Sequence, residues 1–190
     1  MHRVIPLVMF VDLQEEYVSA GRFFALGDVE GPLANCRRLL DAAREIGLAI
    51  AHFRQIKASP FFNREAIFSQ WIPDFRPKSH EMVFERDKPS CYCNASFDNF
   101  VEQIGQPSLV VAGLTGEQSC LATIIEAAHR GHQVVFAYDA SASRTLGERS
   151  EAESHRAVTD LIGLYASVMS TDDVIAHLTA GERMSQSHFG

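Results

Sequence analysis

The chain has 190 residues, of which 24 are acidic and 17 are basic, for a formal net charge of −7 at neutral pH. This length is enough for a single domain, residues 1–190, with a substantial core, and the scattered basic residues argue against a nucleic-acid-binding surface. No apolar run approaches the length of a membrane helix, and the stretch 4–11 is shorter than a signal-peptide core. The four cysteines form no CxxC pair, so we expect free thiols and a cytoplasmic location. The acidic charge balance and the absence of a basic stripe favour a small-molecule partner.

Short apolar runs alternate with helical patterns along the chain. In chain order the sequence predicts strand Ile5–Val11, helix Leu33–Ile46, strand Leu48–Phe53, strand Leu109–Leu114, helix Leu121–Arg130, strand Val134–Ala137, helix Glu151–Leu164, strand Ala166–Met169 and a terminal helix beginning after Ser170 or Thr171. The strands are too uniformly apolar to have an exposed face, which is typical of parallel strands covered on both sides. We therefore expect a three-layer, doubly wound α/β fold, with about six mostly parallel strands and helices on both faces of the sheet.

One segment departs from this alternation. Residues 58–80 contain several aromatic residues and prolines without a clear period. Long loops in compact domains are usually functional, so we interpret this segment as a lid over a ligand or as part of a subunit interface.

Polar side chains that follow the strands are the first candidates for a functional site, because ligands of open α/β sheets bind beyond the carboxyl ends of the strands. Asp12 follows the first strand, Lys88 follows the VFERDKP segment, and Ser119 with Cys120 follow the turn after Leu114. Taken singly, each has an ordinary structural explanation, as a turn cap, a solvated lysine or a small core residue. Their joint position at three strand ends favours a site.

These residues, together with the surrounding motifs, resemble the isochorismatase-like hydrolase superfamily. The resemblance is carried by Asp12 and Gln14 in DLQ, by Lys88 and the NASFDNFV segment, by GLTGEQSC, by LATIIEAAHRGHQVVFAYDASAS and by YASVMSTDDVIAHL, and it covers most of the chain. It implies a hydrolase with an Asp–Lys–Cys triad, and a cis peptide near Leu114–Thr115. Asp12 would be the general base and later acid, Lys88 would orient it, and the amides from Thr115 to Cys120 would form an oxyanion hole.

The register of the nucleophile is open at the sequence level. Counted from Gly113 or back from Thr123, the family position falls on Ser119, and Cys120 comes one residue late. With Ser119 in the site, the enzyme would hydrolyse an amide through a serine, or a vinyl ether through Asp12 alone. With Cys120 in the site, Asp12 and Lys88 would activate a thiol. A displaced nucleophile also allows a catalytically silent member that acts as a binding or interaction protein.

Further site residues follow from position or resemblance. We expect the substrate to contact residues near the strand ends and in the aromatic segment, namely Gln14, Arg54, Trp71, Leu114 and Thr115. Arg54 suits a substrate carboxylate, with a structural ion pair as the alternative. The histidines are dispersed and no DxH motif follows the second strand, so the sequence predicts neither a metal nor another cofactor. The resemblance and the apolar segment 58–80 imply a homo-oligomer.

Overall fold

A six-stranded sheet is at the centre of the structure. The structure is a computed structural model that describes residues 6–105 and 107–186, with the backbone alone for residues 182–186. The strands are β1 (Leu7–Val11), β2 (Ala49–Gln55), β3 (Met82–Arg86), β4 (Leu109–Gly113), β5 (Val134–Ser141) and β6 (Ser167–Met169). They are all parallel and lie in the order β3-β2-β1-β4-β5-β6. Successive strands are added on one side of β1 up to β3 and on its other side from β4 onward, so the predicted doubly wound α/β fold is confirmed. Ligands of such sheets bind at the switch point between β1 and β4.

Helices cover both faces of the sheet. They are α1 (Glu30–Ile46), α2 (Ala95–Gln103), α3 (Leu121–His129), α4 (Glu151–Ile162) and α5 (Thr171–Gln186). One core lies under α1 and α5, and the other lies under α2, α3 and α4. Every side chain of β1 is buried, which explains why its sequence is uniformly apolar rather than alternating. No helix within the described residues is both long enough and apolar enough to cross a membrane.

The predicted elements differ from the structure mainly at their ends. Ile5, the predicted start of the first strand, lies outside the described residues, and β5 continues four residues beyond its predicted end, to Ser141. Helix α1 begins at Glu30 rather than at Leu33. The short helix α2 did not emerge from the sequence pattern. Its Asn94 side chain caps it by accepting from the amides of Ser96 and Phe97.

The aromatic segment 58–80 is irregular apart from two single helical turns, Ile67–Ser69 and Pro73–Phe75. Phe62 and Phe75 are buried in the core, whereas Ile67 is 73% exposed. Trp71 makes a bridge to Gln14, which ties the segment to the loop after β1. The segment therefore packs beside the carboxyl edge of the sheet, and its role as a lid or interface stays a prediction.

Gly113 allows β1 and β4 to approach closely at their carboxyl ends. Its φ is +129°, and a Cβ atom added there would lie 2.0 Å from the carbonyl oxygen of Val11. The next amide, of Leu114, donates to that same carbonyl at 2.9 Å. A residue with a side chain would push the two strands apart. The close approach brings the residues that follow the strands, Asp12 and Thr115, to one point.

The turn that follows β4 is built differently from the sequence prediction. All peptide bonds among the described residues are trans, so the predicted cis peptide near Leu114–Thr115 is wrong. The chain turns instead at Thr115, which has a φ of 59° in the left-handed region. A short π-helix, Gly116–Cys120, then leads directly into α3.

Candidate active site

Asp12 lies at the centre of the carboxyl edge and is fully buried. It has a φ of 59°, a left-handed conformation that Asp tolerates better than most residues. Its amide donates to the carbonyl of Phe53, and its carbonyl accepts from the amide of Gln14, both at 2.8 Å. The end of β2 and the loop after β1 therefore fix the position of this carboxylate.

Three donors converge on one oxygen of this carboxylate. The Ser119 hydroxyl donates to Asp12 Oδ2 at 2.7 Å, and the Thr115 hydroxyl donates to it at 2.9 Å. Nη2 of Arg86 forms an ion pair with the same oxygen and donates to Ser119 Oγ at 2.5 Å. The other oxygen, Oδ1, is buried and has no partner among the described residues. The site is thus an acid, a cation and a hydroxyl in mutual contact, with one free acceptor.

The cation is Arg86 and not Lys88, which corrects the sequence prediction. Arg86 is the last residue of β3, and its side chain crosses the end of β2 to reach Asp12. Lys88 lies two residues beyond the strand with an exposed side chain, and its carbonyl accepts from Arg86 Nη1 at 2.7 Å. Burial alone would lower the pKa of Arg86, but the groups around it, of which the Asp12 carboxylate contributes most, together raise it. Arg86 is therefore a permanent cation.

Ser119, and not Cys120, faces the acid and the cation. The π-helix does not bring both side chains into the site. Cys120 Sγ lies 3.7 Å from the carbonyl oxygen of Leu114, and the residue is buried in the core under α3. Burial raises the pKa of this thiol well above its usual value, so Cys120 stays protonated at neutral pH. The register counted from Gly113 is the one that the structure adopts.

The backbone amides of the turn form a smaller anion-binding group than the sequence predicts. Four of the six donate to backbone carbonyls, Gly116 to Ala142 at 2.8 Å, and Gln118, Ser119 and Cys120 all to Thr115 at 2.9 to 3.3 Å. The amides of Thr115 and Glu117 have no acceptor within the part of the chain that the structure describes. An oxyanion would therefore depend on these two amides and on Arg86.

Gln14 and Arg54, two of the predicted substrate contacts, instead bind other residues of the protein. The buried side-chain amide of Gln14 bonds to the backbone of Gln55 and Ser69, so it joins the end of β2 to segment 58–80. Arg54 forms the structural ion pair, with Glu85 at 2.6 Å, and its guanidinium lies 5.6 Å from the ring centre of Trp71. The structure thus uses Gln14 and Arg54 to hold the loops around the site.

The remaining predicted contacts divide between core and site. Trp71 is half-buried beside Arg54, and Leu114 is fully buried in the core under α1 and α5. Of the five predicted substrate contacts, Thr115 is the one whose side chain bonds to a side chain of the triad in the described contacts, through its hydroxyl to Asp12.

Tyr17 is a buried phenol in the loop after β1 that the sequence analysis missed. It is 2% exposed, and its hydroxyl donates to Gln55 Oε1 at 3.1 Å. Burial raises the pKa of this phenol, and the negative charge of Asp12 raises it further. Tyr17 therefore stays protonated at neutral pH, as a neutral donor to Gln55. The DLQEEY sequence contains no periodic signal that points to it.

His52 and Glu81 form a buried pair away from the triad. His52 Nε2 lies 2.8 Å from Glu81 Oε2, and Glu81 also accepts from Arg44 Nε at 2.7 Å and from the amide of Lys78 at 2.8 Å. Burial alone would raise the pKa of Glu81, but these partners, Arg44 first, lower it from 4.5 to about 2. The pair therefore joins β2, α1 and the start of β3 through an ionised carboxylate.

Glu81→Gln is expected to destabilise the fold in a pH-dependent way. Because the pKa of Glu81 is lower in the folded state, its contribution is complete above about pH 4.5 and is lost as the pH falls through about 2. We expect a cost of roughly 1 to 3 kcal/mol at pH 7 that shrinks toward pH 2, as measured by urea unfolding at several pH values. Glu65→Gln, at an exposed position in segment 58–80, is the control. A cost independent of pH would contradict the ionised pair.

The fold and the site together define an α/β protein with an acid, a cation and a hydroxyl at the switch point of its sheet. The family model of the isochorismatase domain matches residues 6–173. The chain belongs to the isochorismatase family, a family of hydrolases, and the resemblance seen in the sequence is confirmed.

Individual relatives are distant. The chain is 20% identical to a secreted isochorismatase effector of Verticillium dahliae, over 88% of this chain and 89% of the relative. It is 22% identical to the N-carbamoylsarcosine amidase of an Arthrobacter species, over 92% of this chain and 72% of the relative. The crystal structure of an isochorismatase from Pseudomonas putida superposes with a TM-score of 0.83 at 28% identity, covering 88% of this chain and 89% of that chain.

Proposed function

We propose that this protein hydrolyses a C–N bond in a small carboxamide, with Ser119 as the nucleophile, Asp12 as the base and Arg86 as the stabilising cation. The observation that carries the proposal is the pair of bonds at the Ser119 hydroxyl, which donates to Asp12 and accepts from Arg86. A base that accepts the proton and a cation that stabilises the resulting oxygen are what an unreactive hydroxyl needs.

The chemistry is a two-step acyl transfer. Ser119 Oγ attacks the amide carbon while its proton passes to Asp12, and the charge on the carbonyl oxygen is stabilised by Arg86 and the amides of Thr115 and Glu117. Asp12 then gives the proton to the leaving nitrogen as the C–N bond breaks. In the second step water attacks the ester, Asp12 takes its proton, and that proton returns to Ser119 Oγ as the acid leaves.

Two observations favour a C–N bond over a vinyl ether. Protonation of a vinyl carbon needs an acid that donates, whereas Asp12 accepts three hydrogen bonds on Oδ2. One relative is named as an amidase, and the same chemistry in this chain is part of the proposal. Arginine in place of the lysine expected from the family keeps the positive charge but does not exchange a proton, so Asp12 carries all of the proton transfers.

Ser119→Ala is expected to lower ammonia release from a panel of small primary amides by at least about 10³-fold, because it removes the nucleophile. Ser119→Cys is expected to retain or exceed the original rate, since a thiol beside Arg86 ionises more readily than a hydroxyl. Cys120→Ala is the matched control, one residue along the same helix, and it should change the rate little. Ammonia release by a coupled assay measures all three variants.

The same panel tests the binding-protein alternative. That alternative is favoured by the closure of the site, since Asp12, Arg86 and Ser119 are each at most 2% exposed. No ammonia release by either the original protein or Ser119→Cys would support a silent member. A Ser119→Ala protein that hydrolyses amides as fast as the original would instead refute the serine nucleophile while keeping the hydrolase. Homo-oligomerisation and a cytoplasmic location stay predictions.

A further inference from the structure

A second ion pair, Glu117 with Arg144, lies on the turn that carries Ser119, and its two side chains have no part in the proposed acyl transfer. Arg144 Nε donates to Glu117 Oε1 at 2.9 Å. Glu117 belongs to the π-helix that carries Ser119, and Arg144 lies three residues after β5. The pair therefore joins two loops at the carboxyl edge of the sheet.

The pair and the triad share one short element. Glu117 and Ser119 are two residues apart in the π-helix Gly116–Cys120, so the carboxylate of the pair and the hydroxyl of the triad are held by the same turn. The electrostatics at Tyr17 agree with this placement. Burial raises the pKa of this phenol most, the charges of Asp12 and Glu117 raise it further, and those of Arg86 and Arg144 lower it.

Each member of the second pair keeps an unused hydrogen-bonding edge. The Glu117 side chain is 4% exposed, and its Oε2 is buried without a partner among the described residues. A buried carboxylate oxygen without a donor is costly, so this atom calls for an N–H or O–H group. Arg144 uses only Nε in the described hydrogen bonds. Its side chain is one-third exposed, and its guanidinium lies 5.2 Å from the ring centre of Phe24. Its terminal nitrogens therefore remain available for an anion.

We propose that Glu117 and Arg144 bind the zwitterionic head of an amino-acid amide, with the ammonium on Glu117 Oε2 and the carboxylate on the terminal nitrogens of Arg144. The pair offers one free acceptor on its acid and free donors on its base, which matches a molecule that carries an ammonium and a carboxylate on the same carbon. The planar guanidinium suits the carboxylate. This inference rests on the proposed function, since it places the side-chain carboxamide of such a molecule toward Ser119. Glu117 and Arg144 are then the residues that determine specificity.

Four amides that differ only in their charged groups test the assignment. Asparagine carries both charges, β-alaninamide carries only the ammonium, succinamate carries only the carboxylate, and propionamide carries neither. Binding is measured by NMR titration of the Ser119→Ala protein with each amide. Hydrolysis is measured as the ammonia released from each amide by the protein without substitutions. We expect asparagine to bind at least about tenfold tighter than either singly charged amide, with propionamide weakest.

The variants assign each charge to its partner. Glu117→Gln should remove the advantage of asparagine over succinamate, and Arg144→Met should remove its advantage over β-alaninamide. These are ratios within one protein, so a fraction of unfolded protein cancels. Glu148→Gln and Arg149→Met are matched controls at exposed positions of the loop before α4, and they should leave both ratios unchanged.

The outcomes separate this proposal from the hydrolase itself. Equal binding of the four amides, or ratios that survive Glu117→Gln and Arg144→Met, would overturn the proposed head-group site. The predicted binding ratios without ammonia release would support the head-group site and refute the hydrolase. Ammonia release at equal rates from all four amides would support the hydrolase and refute the head-group site.

Discussion

Asp12→Asn is expected to lower the rate of amide hydrolysis by about 10²- to 10⁴-fold, the range in which a positioned general base contributes. Asparagine fits the same space, but its amide does not accept the proton of Ser119 in the first step or that of water in the second. Steady-state ammonia release measures the loss. Because both steps use the same carboxylate, neither acyl transfer nor deacylation is expected to proceed at a useful rate.

The control for this prediction must separate chemistry from folding. Asparagine also leaves the buried guanidinium of Arg86 without its counter-charge, which destabilises the fold. Rates are therefore compared per folded molecule, without urea and at a temperature at which circular dichroism shows both proteins to be folded. Asp87→Asn changes an exposed carboxylate beside Arg86 and should retain the rate. An Asp12→Asn protein as active as the Asp87→Asn control would reject the mechanism with either nucleophile.

The centre of the sheet could be predicted from the sequence because its strands β1 and β4 are apolar throughout, whereas β3, which contains Glu85 and Arg86, was not predicted as a strand. β1 and β4 are buried on both faces, so their residues must be apolar whatever the details of packing. Asp12 and Ser119 could be predicted for a related reason, since the carboxyl ends of parallel strands meet at one edge. The count from Gly113 gave the register of Ser119 because the close approach of the strands fixes that glycine.

The cation could not be placed by the same reasoning. Arg86 and Lys88 are two residues apart, so they have the same parity along a strand, and the periodicity does not distinguish them. What distinguishes them is the point at which β3 ends, and strand ends are the least reliable part of a sequence prediction. The family resemblance favoured lysine, which led to the exposed residue.

Loop contacts were beyond sequence reasoning for a different reason. Gln14 was expected to contact the substrate, but its amide is used by the backbone of Gln55 and Ser69, 41 and 55 residues away along the chain. Such contacts depend on the path of segment 58–80, which has no periodic pattern to predict it. Tyr17 and the Glu117–Arg144 pair were missed in the same way, because each acquires its role from a partner that is distant in sequence.

Arg86→Met is expected to cost about 3 to 5 kcal/mol of stability, the range found when one partner of a buried ion pair is removed. Methionine has a similar length, so the main loss is not volume but the counter-charge of Asp12, whose carboxylate is fully buried. The Ser119 hydroxyl and the Lys88 carbonyl also lose a donor. Urea unfolding at neutral pH measures the change in free energy.

Arg86→Lys and a double-mutant cycle identify the source of that loss. Lysine restores the charge and the cation expected from the family, but it lacks the planar fork that reaches Asp12, Ser119 and the Lys88 carbonyl together, so we expect it to recover stability only in part. In the double variant Asp12→Asn with Arg86→Met, no charge is left unpaired, and the combined loss should be smaller than the sum of the two single losses. Strict additivity would mean that the two side chains do not stabilise each other. The cation would then have been selected for its action on Ser119 rather than for the fold.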